Sequence, residues 1–427
     1  MPAKIHIERM MYRDTVKIPG ESAASYALLK LIPASDTAGR PLNLNLALVL
    51  DVSGSMYEED GTGRSRLERV QEAARQALKM LKPDDTFAVV AFAHNSQVVL
   101  PATSVAERAK ITDVIDHIDR FDVDPGGTSM DQGIAQGLAE VEKLAGPGRV
   151  SQVMVLTDGE TSGEQACRDL AQQAAQKKIH FTVMGVGTEW NASLIKDLAR
   201  LAEGSWHYID VNDPDAAQRS FLKEFEHLTA AGFANVELHM WPVKDVRVKR
   251  VRLVVPEIKE MPLAEPEERH LSSSLGTLER DKPTKYILEL SLPRRPDGNY
   301  VILQMEVSYD RGGERESTGK VALQIQYSDA GQGYVNAEVA RHIDEVQIFE
   351  LNKNLQEAIV ANDVDEAQRV AETISKKGEL LGKRAAKKTM LARQVLQELN
   401  VGGRVSKKTQ LAVDDAARLA EEMPLPT

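Results

Sequence analysis

The sequence holds one cysteine, Cys167, in 427 residues. A lone thiol makes no internal disulfide, which fits a reducing compartment. No apolar stretch approaches the roughly 18 residues needed to span a bilayer, and residues 1–8 carry no long apolar run of the signal-peptide kind. The expectation is a cytoplasmic protein with no membrane span. Basic excess is also missing: 53 Lys and Arg face 64 Asp and Glu, for a net charge of −11. That balance excludes a broadly basic nucleic-acid surface. The glycine-rich stretches 61–64 and 185–188 lack the Gly-Lys-Ser/Thr ending of a phosphate loop and read as turns. No Gly-x-Ser-x-Gly elbow occurs, and no histidine is placed by sequence beside a nucleophile. An aspartyl-phosphate enzyme wants a second acid shortly after Asp51, where Ser53 stands instead. These absences argue against an enzyme.

What is present starts at Ala47-Leu48-Val49-Leu50-Asp51-Val52-Ser53-Gly54-Ser55-Met56. An apolar run with Leu and Val on both faces suits a buried parallel strand. It ends in a carboxylate, two hydroxyls and a glycine. Ligand sites of open parallel sheets lie just beyond the carboxyl ends of such strands. Asp51, Ser53 and Ser55 are therefore expected on a rim loop, offering hard oxygen donors suited to Mg²⁺ rather than Zn²⁺ or copper.

Asp51-Val52-Ser53-Gly54-Ser55 resembles the first loop of the metal-ion-dependent adhesion site of von Willebrand factor A domains. Gly126-Gly127-Thr128-Ser129-Met130 resembles that family's second loop, with Thr128 as the matching hydroxyl. Val153-Met154-Val155-Leu156-Thr157-Asp158-Gly159 resembles the third, with Asp158 closing another buried strand. The resemblance implies a metal site of Asp51, Ser53, Ser55, Thr128 and Asp158. It would hold Mg²⁺, with Mn²⁺ or Ca²⁺ as alternatives, and leave one coordination position for an Asp or Glu of a partner protein. The single cysteine argues against the secreted, disulfide-stapled animal members and for a bacterial cytoplasmic type. Relatives of that type are associated with MoxR-type AAA+ ATPases or with Ser/Thr kinase and phosphatase signalling. Two rival readings stand beside this one: a scaffold with a purely structural metal that works through its helical tail, and a Mg²⁺-dependent hydrolase. Glu58, Glu59, Asp60 and Glu160 lie in the first and third loops as gating or solvated acids. Asp131 follows the second loop as an outer acceptor or a first-turn helix acid.

A chain of this length predicts two or three domains. Residues 1–41 read as short strands, too few for a domain, and are expected to complete a sheet formed elsewhere. Residues 42–230 alternate strand and helix, which implies a doubly wound, mostly parallel α/β sheet of Rossmann-like form. Val98-Val99-Leu100 is its expected antiparallel edge, and Ser129 or Thr128 the expected cap of the helix from Met130. Residues 231–330 carry five runs of alternating character, around positions 236–240, 246–253, 286–290, 301–309 and 321–327. They predict an antiparallel β-sandwich into which the α/β domain is inserted. Residues 331–427 read as a C-terminal helical bundle or hairpin of three helices, with Asp363 capping the second and Gly402-Gly403 ending the third.

Overall fold

The computed structural model describes residues 4–18, 20–34, 42–59, 63–146, 148–159, 161, 163–188, 190–213, 215–311 and 313–418. Asp60 and Glu160 of the sequence reading lie outside them. The chain opens with β1 (Ile5–Met11), β2 (Thr15–Val16) and β3 (Ser22–Pro33). It then enters an α/β unit: β4 (Asn43–Asp51), α1 (Arg66–Leu78), β5 (Thr86–Phe92), β6 (Ser96–Ser104), α2 (Arg108–Asp116), α3 (Met130–Glu142), β7 (Arg149–Thr157), α4 (Glu164–Gln176), β8 (Ile179–Val186), α5 (Ala192–Leu201), β9 (Ser205–Ile209) and α6 (Ala216–Ala230).

The strand order of this sheet is β6-β5-β4-β7-β8-β9. All neighbours are parallel except the β5–β6 pair, which is antiparallel at the edge expected from sequence. β4, β5, β7 and β8 are buried along almost their whole length, the signature of a sheet covered on both faces. Leu44, Leu46, Leu48 and Leu50 of β4 pack with α1, α2 and α6, while Ala47 and Val49 face α3, α4 and α5. The strand order reverses at β4: β5 lies on one side, β7 on the other. A crevice forms at such a switch point, outside the carboxyl ends of the two diverging strands. Asp51 ends β4 and Asp158 follows β7, so the fold delivers both acids to that crevice.

Helix α3 sits close to the sheet because two of its residues have no side chain. A Cβ at Gly137 would stand 2.5 Å from Val49 Cγ2, and one at Gly133 2.9 Å from the Phe92 ring. This close seating fixes the start of α3, and with it the Thr128 loop.

Helix α6 runs directly into β10 (Ala231–Pro242), which leads through β11 (Arg247–Val255), β12 (Lys259–Met261), β13 (Ala264–Glu267), β14 (His270–Glu279), β15 (Thr284–Pro293), β16 (Gly298–Arg311), β17 (Glu314–Ser317) and β18 (Val321–Tyr327). Two sheets result, antiparallel throughout except where β2 pairs in parallel with β18. One has the order β1-β3-β15-β11-β12; the other has β13-β14-β10-β16-β18-β2, with β17 on β16. β3 pairs with β15 from Leu31 opposite Thr284 to Ser22 opposite Pro293, across the whole α/β insertion. The two inner faces share one core that includes Leu29, Leu238, Leu288 and Val307. Strand β14 was not expected from sequence. Its His-Leu-Ser-Ser-Ser-Leu-Gly-Thr-Leu-Glu is serine-rich and glycine-broken, yet it pairs with both β10 and β13.

The tail comprises α7 (Ala337–Val360), α8 (Val364–Leu381), α9 (Ala386–Gly402) and α10 (Lys407–Arg418). Asp363 caps α8 by accepting from Glu366 N, and left-handed Gly403 ends α9. The expected three helices become four among the described residues. The fourth returns to the α/β unit: Leu411 joins its core, Lys407 Nζ donates to Trp190 O at 3.1 Å, and Lys408 pairs with Asp210 at 2.8 Å. Lys196 pairs with Asp414, and the Arg418 guanidinium stacks 3.8 Å above Trp206. Among the described residues no helix is long and apolar enough to cross a membrane.

Candidate metal centre

Three loops meet at the switch point. The first turns immediately after β4. Asp51 Oδ1 accepts from the Ser53 backbone N–H at 2.9 Å, which closes a tight turn and lifts both serines. Asp51 Oδ2 accepts from Thr157 Oγ1 at 2.7 Å. Ser53 Oγ lies 3.2 Å from Ser55 Oγ, and Ser55 Oγ donates to Asp158 Oδ1 at 2.8 Å. Four of the five residues singled out from sequence thus lie in one hydrogen-bonded cluster.

Thr128 makes no hydrogen bond to the other four but lies against the third loop. A methyl group added to Gly159 would lie 3.7 Å from Thr128 Oγ1. The second loop is tied to the third by Thr161, whose hydroxyl donates to Thr128 O at 2.8 Å. It is tied to the first by Gly54 N–H, which donates to Pro125 O at 3.3 Å. Ser129 occupies the N-cap position of α3 as expected, but its side chain makes no capping hydrogen bond. Its hydroxyl donates to His94 O at 2.8 Å instead, pinning the second loop to the end of β5. That exposed histidine sits against the same loop: a Cβ on Gly127 would be 3.2 Å from His94 Nδ1.

Both aspartates are fully buried, Ser53 nearly so, while Ser55 and Thr128 are partly exposed. Solvent therefore meets the cluster at its hydroxyls. Burial pushes the Asp51 carboxyl up to about 6, against the Ser53 and Thr157 hydrogen bonds that favour its charge; neighbouring Asp158 adds a smaller upward push.

Two residues here escaped the sequence reading. Thr157, the last residue of β7, orients Asp51. Arg66, the first residue of α1, places Nη1 2.6 Å from Asp158 Oδ2 and Nη2 2.8 Å from Glu58 Oε2. The signal for Thr157 was its adjacency to Asp158; for Arg66, 92 residues from its partner, there was none. Glu58 is thus an ion-pair partner rather than a free loop acid.

The cluster fits a hard divalent cation. Two buried carboxylates are balanced by one guanidinium, leaving a deficit of positive charge. The remaining donors are neutral hydroxyls, whose hydrogens rotate freely to expose lone pairs. Among the described residues no three His, Cys, Asp or Glu side chains gather as a metal site. Asp51, Ser53, Ser55, Thr128 and Asp158 offer oxygens alone, three of them neutral hydroxyls, the chemistry of Mg²⁺ rather than of Zn²⁺.

Residues 45–224 match the family model described as von Willebrand factor type A domain. The chain is 29% identical over 350 residues to an uncharacterized protein of Synechocystis sp., covering 80% of each. It superposes on a von Willebrand factor type A structure from Catenulispora acidiphila with TM-score 0.81 and 17% identity, covering 98% of this chain and 97% of the other. A second match is the ArnB paralog VWA2 from Sulfolobus acidocaldarius, with TM-score 0.58, 14% identity and coverage of 97% and 98%. At these identities the two structures share the fold with this chain.

Proposed function

From residues 45–224 being a von Willebrand factor type A domain, a family of protein-interaction modules, we propose that this protein binds a partner through a divalent cation at the switch-point crevice. Ser53, Ser55 and Thr128 hold Mg²⁺ through their hydroxyls, while Asp51 and Asp158 supply the compensating charge. Mg²⁺ accepts about six oxygens and retains exchangeable waters. When bound, it supplies an electrophilic position that an Asp or Glu of the partner fills in place of water. Two carboxylates neutralise the cation only in formal charge, and Arg66 adds a further positive charge, so an incoming carboxylate is favoured. The partner is an acidic-residue-presenting protein of a bacterial cytoplasmic signalling or assembly system. A MoxR-type AAA+ ATPase and a Ser/Thr kinase or phosphatase are its candidate classes.

The observation that carries this reading is the meeting of three loops where the partly exposed Ser55 and Thr128 lie beside two buried acids. The test is capture of partners from native lysate on the immobilised full chain, with Mg²⁺, with EDTA, and with Mg²⁺ restored. Prey lost to EDTA and recovered with Mg²⁺ is the expected result; a prey set indifferent to chelation overturns the metal-bridged mechanism.

A second reading rests on the tail. An open groove of about 1150 Å³ runs between α8 and α9, and Met390 and Val401 on its walls are exposed, as is neighbouring Leu380. A protein working through that groove with a structural metal would keep its prey in EDTA and lose it on Met390→Asp.

A further inference from the structure

Every carboxylate oxygen at the crevice already has a donor. Asp51 Oδ1 takes the Ser53 N–H and Oδ2 the Thr157 hydroxyl; Asp158 Oδ1 takes the Ser55 hydroxyl and Oδ2 the Arg66 guanidinium. The three neutral donors differ from the fourth. The two hydroxyls turn at little cost, and the amide leaves its acceptor a second lone pair. Arg66 is a fixed charge that no rotation removes.

Its position is built rather than incidental. Ser65 and Glu68 form a reciprocal capping box at the start of α1, with Glu68 N to Ser65 Oγ at 3.1 Å and Ser65 N to Glu68 Oε2 at 2.7 Å. Arg66 N–H donates to Glu58 O at 3.2 Å, binding the helix start to the end of the first loop. The guanidinium then spans two acids of opposite character. Asp158 is fully buried, whereas the Glu58 side chain is 62% exposed.

We propose that Arg66 is a tethered placeholder cation: it neutralises Asp158 while the site lacks metal, and it competes with the divalent ion for that carboxylate when metal arrives. The inference rests on the metal reading above and adds its regulation. With Arg66 in place the loops stay assembled without metal, because the buried Asp158 carboxylate keeps a counter-charge. The cost appears in metal affinity, since a unit positive charge stands beside the incoming dication. Glu58 offers the guanidinium a second carboxylate at the surface, so the arm shifts its weight outward as the metal loads. The site thereby responds to divalent-ion concentration instead of holding its ion permanently.

The test is Mn²⁺ titration of the full chain by calorimetry, paired with thermal unfolding in EDTA. Arg66→Gln is expected to lower the metal-free Tm and to bind Mn²⁺ about tenfold or more tightly than wild type, as loss of a neighbouring unit charge demands. Arg66→Lys keeps the charge and stays near wild type in affinity. Should Arg66→Gln fail to fold without metal, Glu58→Gln carries the test. Removing this exposed partner leaves the guanidinium wholly to Asp158 and weakens Mn²⁺ binding, about threefold for a surface charge contact. Wild-type binding of Mn²⁺ with unchanged or weaker binding by Arg66→Gln overturns the placeholder role and leaves the metal reading standing; unchanged or tighter binding by Glu58→Gln does the same. Absence of Mn²⁺ binding in wild type and Arg66→Gln alike overturns both.

Discussion

His227 and Glu279 join the α/β unit to the sandwich: Nδ1 of the imidazole, in the last turn of α6, lies 3.1 Å from Glu279 Oε1 on β14. Burial disfavours the imidazolium, but the Glu279 and Glu224 carboxylates outweigh it and raise the His227 pKa above its ordinary value. The His227 hydrogen bond in turn holds Glu279 below the carboxylate range. For the raised histidine, the stabilisation is complete below its unfolded value of about 6.5 and fades as pH rises through the folded one. For the lowered glutamate, it is complete above about 4.3 and fades as pH falls through the folded value. The junction is therefore firmest in mildly acidic solution. Comparing Tm at pH 6 and pH 8.5, the gap between wild type and His227→Asn should be wider at pH 6. A gap equal at both values would show that the pair contributes no pH-dependent stability.

Thr157 is expected to matter as much as the acids it serves. Thr157→Val keeps the volume but strips the Asp51 Oδ2 donor from a fully buried setting. An orphaned buried acceptor costs about 1–3 kcal/mol. Urea unfolding should register that loss, and Mn²⁺ affinity should fall with it as Asp51 loses its orientation. Thr157→Ser restores the hydroxyl and should recover the affinity. Wild-type stability and affinity in the valine variant would refute the assignment.

The seating of α3 gives a purely steric prediction. Gly137→Ala places a methyl 2.5 Å from Val49 Cγ2, and overpacking of this kind costs about 1–3 kcal/mol. Val49→Ala removes the obstructing atom. Combined, the two substitutions should destabilise by less than their separate effects added together, because they share one space. Strict additivity in chemical denaturation would mean that the backbone, not Val49, limits the approach.

Helix α10 should detach when its one contribution to the α/β core is reversed. Leu411 is buried in that core, and Leu411→Asp sets a carboxylate there without a partner. Limited proteolysis is expected to cut ahead of 407 in the variant well before it attacks wild type. Divalent-ion binding should persist, because none of the crevice side chains belongs to the tail. Simultaneous loss of tail protection and metal binding would show that the two are coupled.

The sequence exposed what depends on local pattern. Apolar runs located β4, β7 and β8 because a doubly covered strand has no polar face to interrupt it. Asp51, Ser53, Ser55 and Asp158 could be singled out because they follow such runs, whereas Thr128, ahead of α3, is marked only by the resemblance of its loop to the family's second loop. Relations across long spans stayed hidden. Arg66 looks like any first-turn helix residue until the fold closes Asp158 onto it. Strand β14 is masked by three consecutive serines, Ser272, Ser273 and Ser274, whose pairing is set by β10 rather than by their own preference. Helix α10 follows a glycine pair that reads as an ending, and its apolar residues divide between two distant cores, Val413 and Ala416 in the tail and Leu411 in the α/β unit. Ser129 shows the converse: it stands at the N-cap as its sequence suggests, yet its hydroxyl is oriented by a tertiary contact, donating to His94 O, and caps no backbone N–H.

The pairing of β3 with β15 has a consequence for how the protein comes into being. Translation delivers β3, with Leu28, Leu29 and Leu31, long before its second neighbour exists, and the entire α/β unit leaves the ribosome in between. The α/β unit lies wholly between β3 and β15 in the chain and domains fold as units during synthesis, so it completes while β3 still shows an open flank. An open hydrophobic flank invites pairing with other nascent chains. The polypeptide thus emerges with its first strands provisionally satisfied by β1 alone, and the window of vulnerability lasts until residues 284–293 arrive.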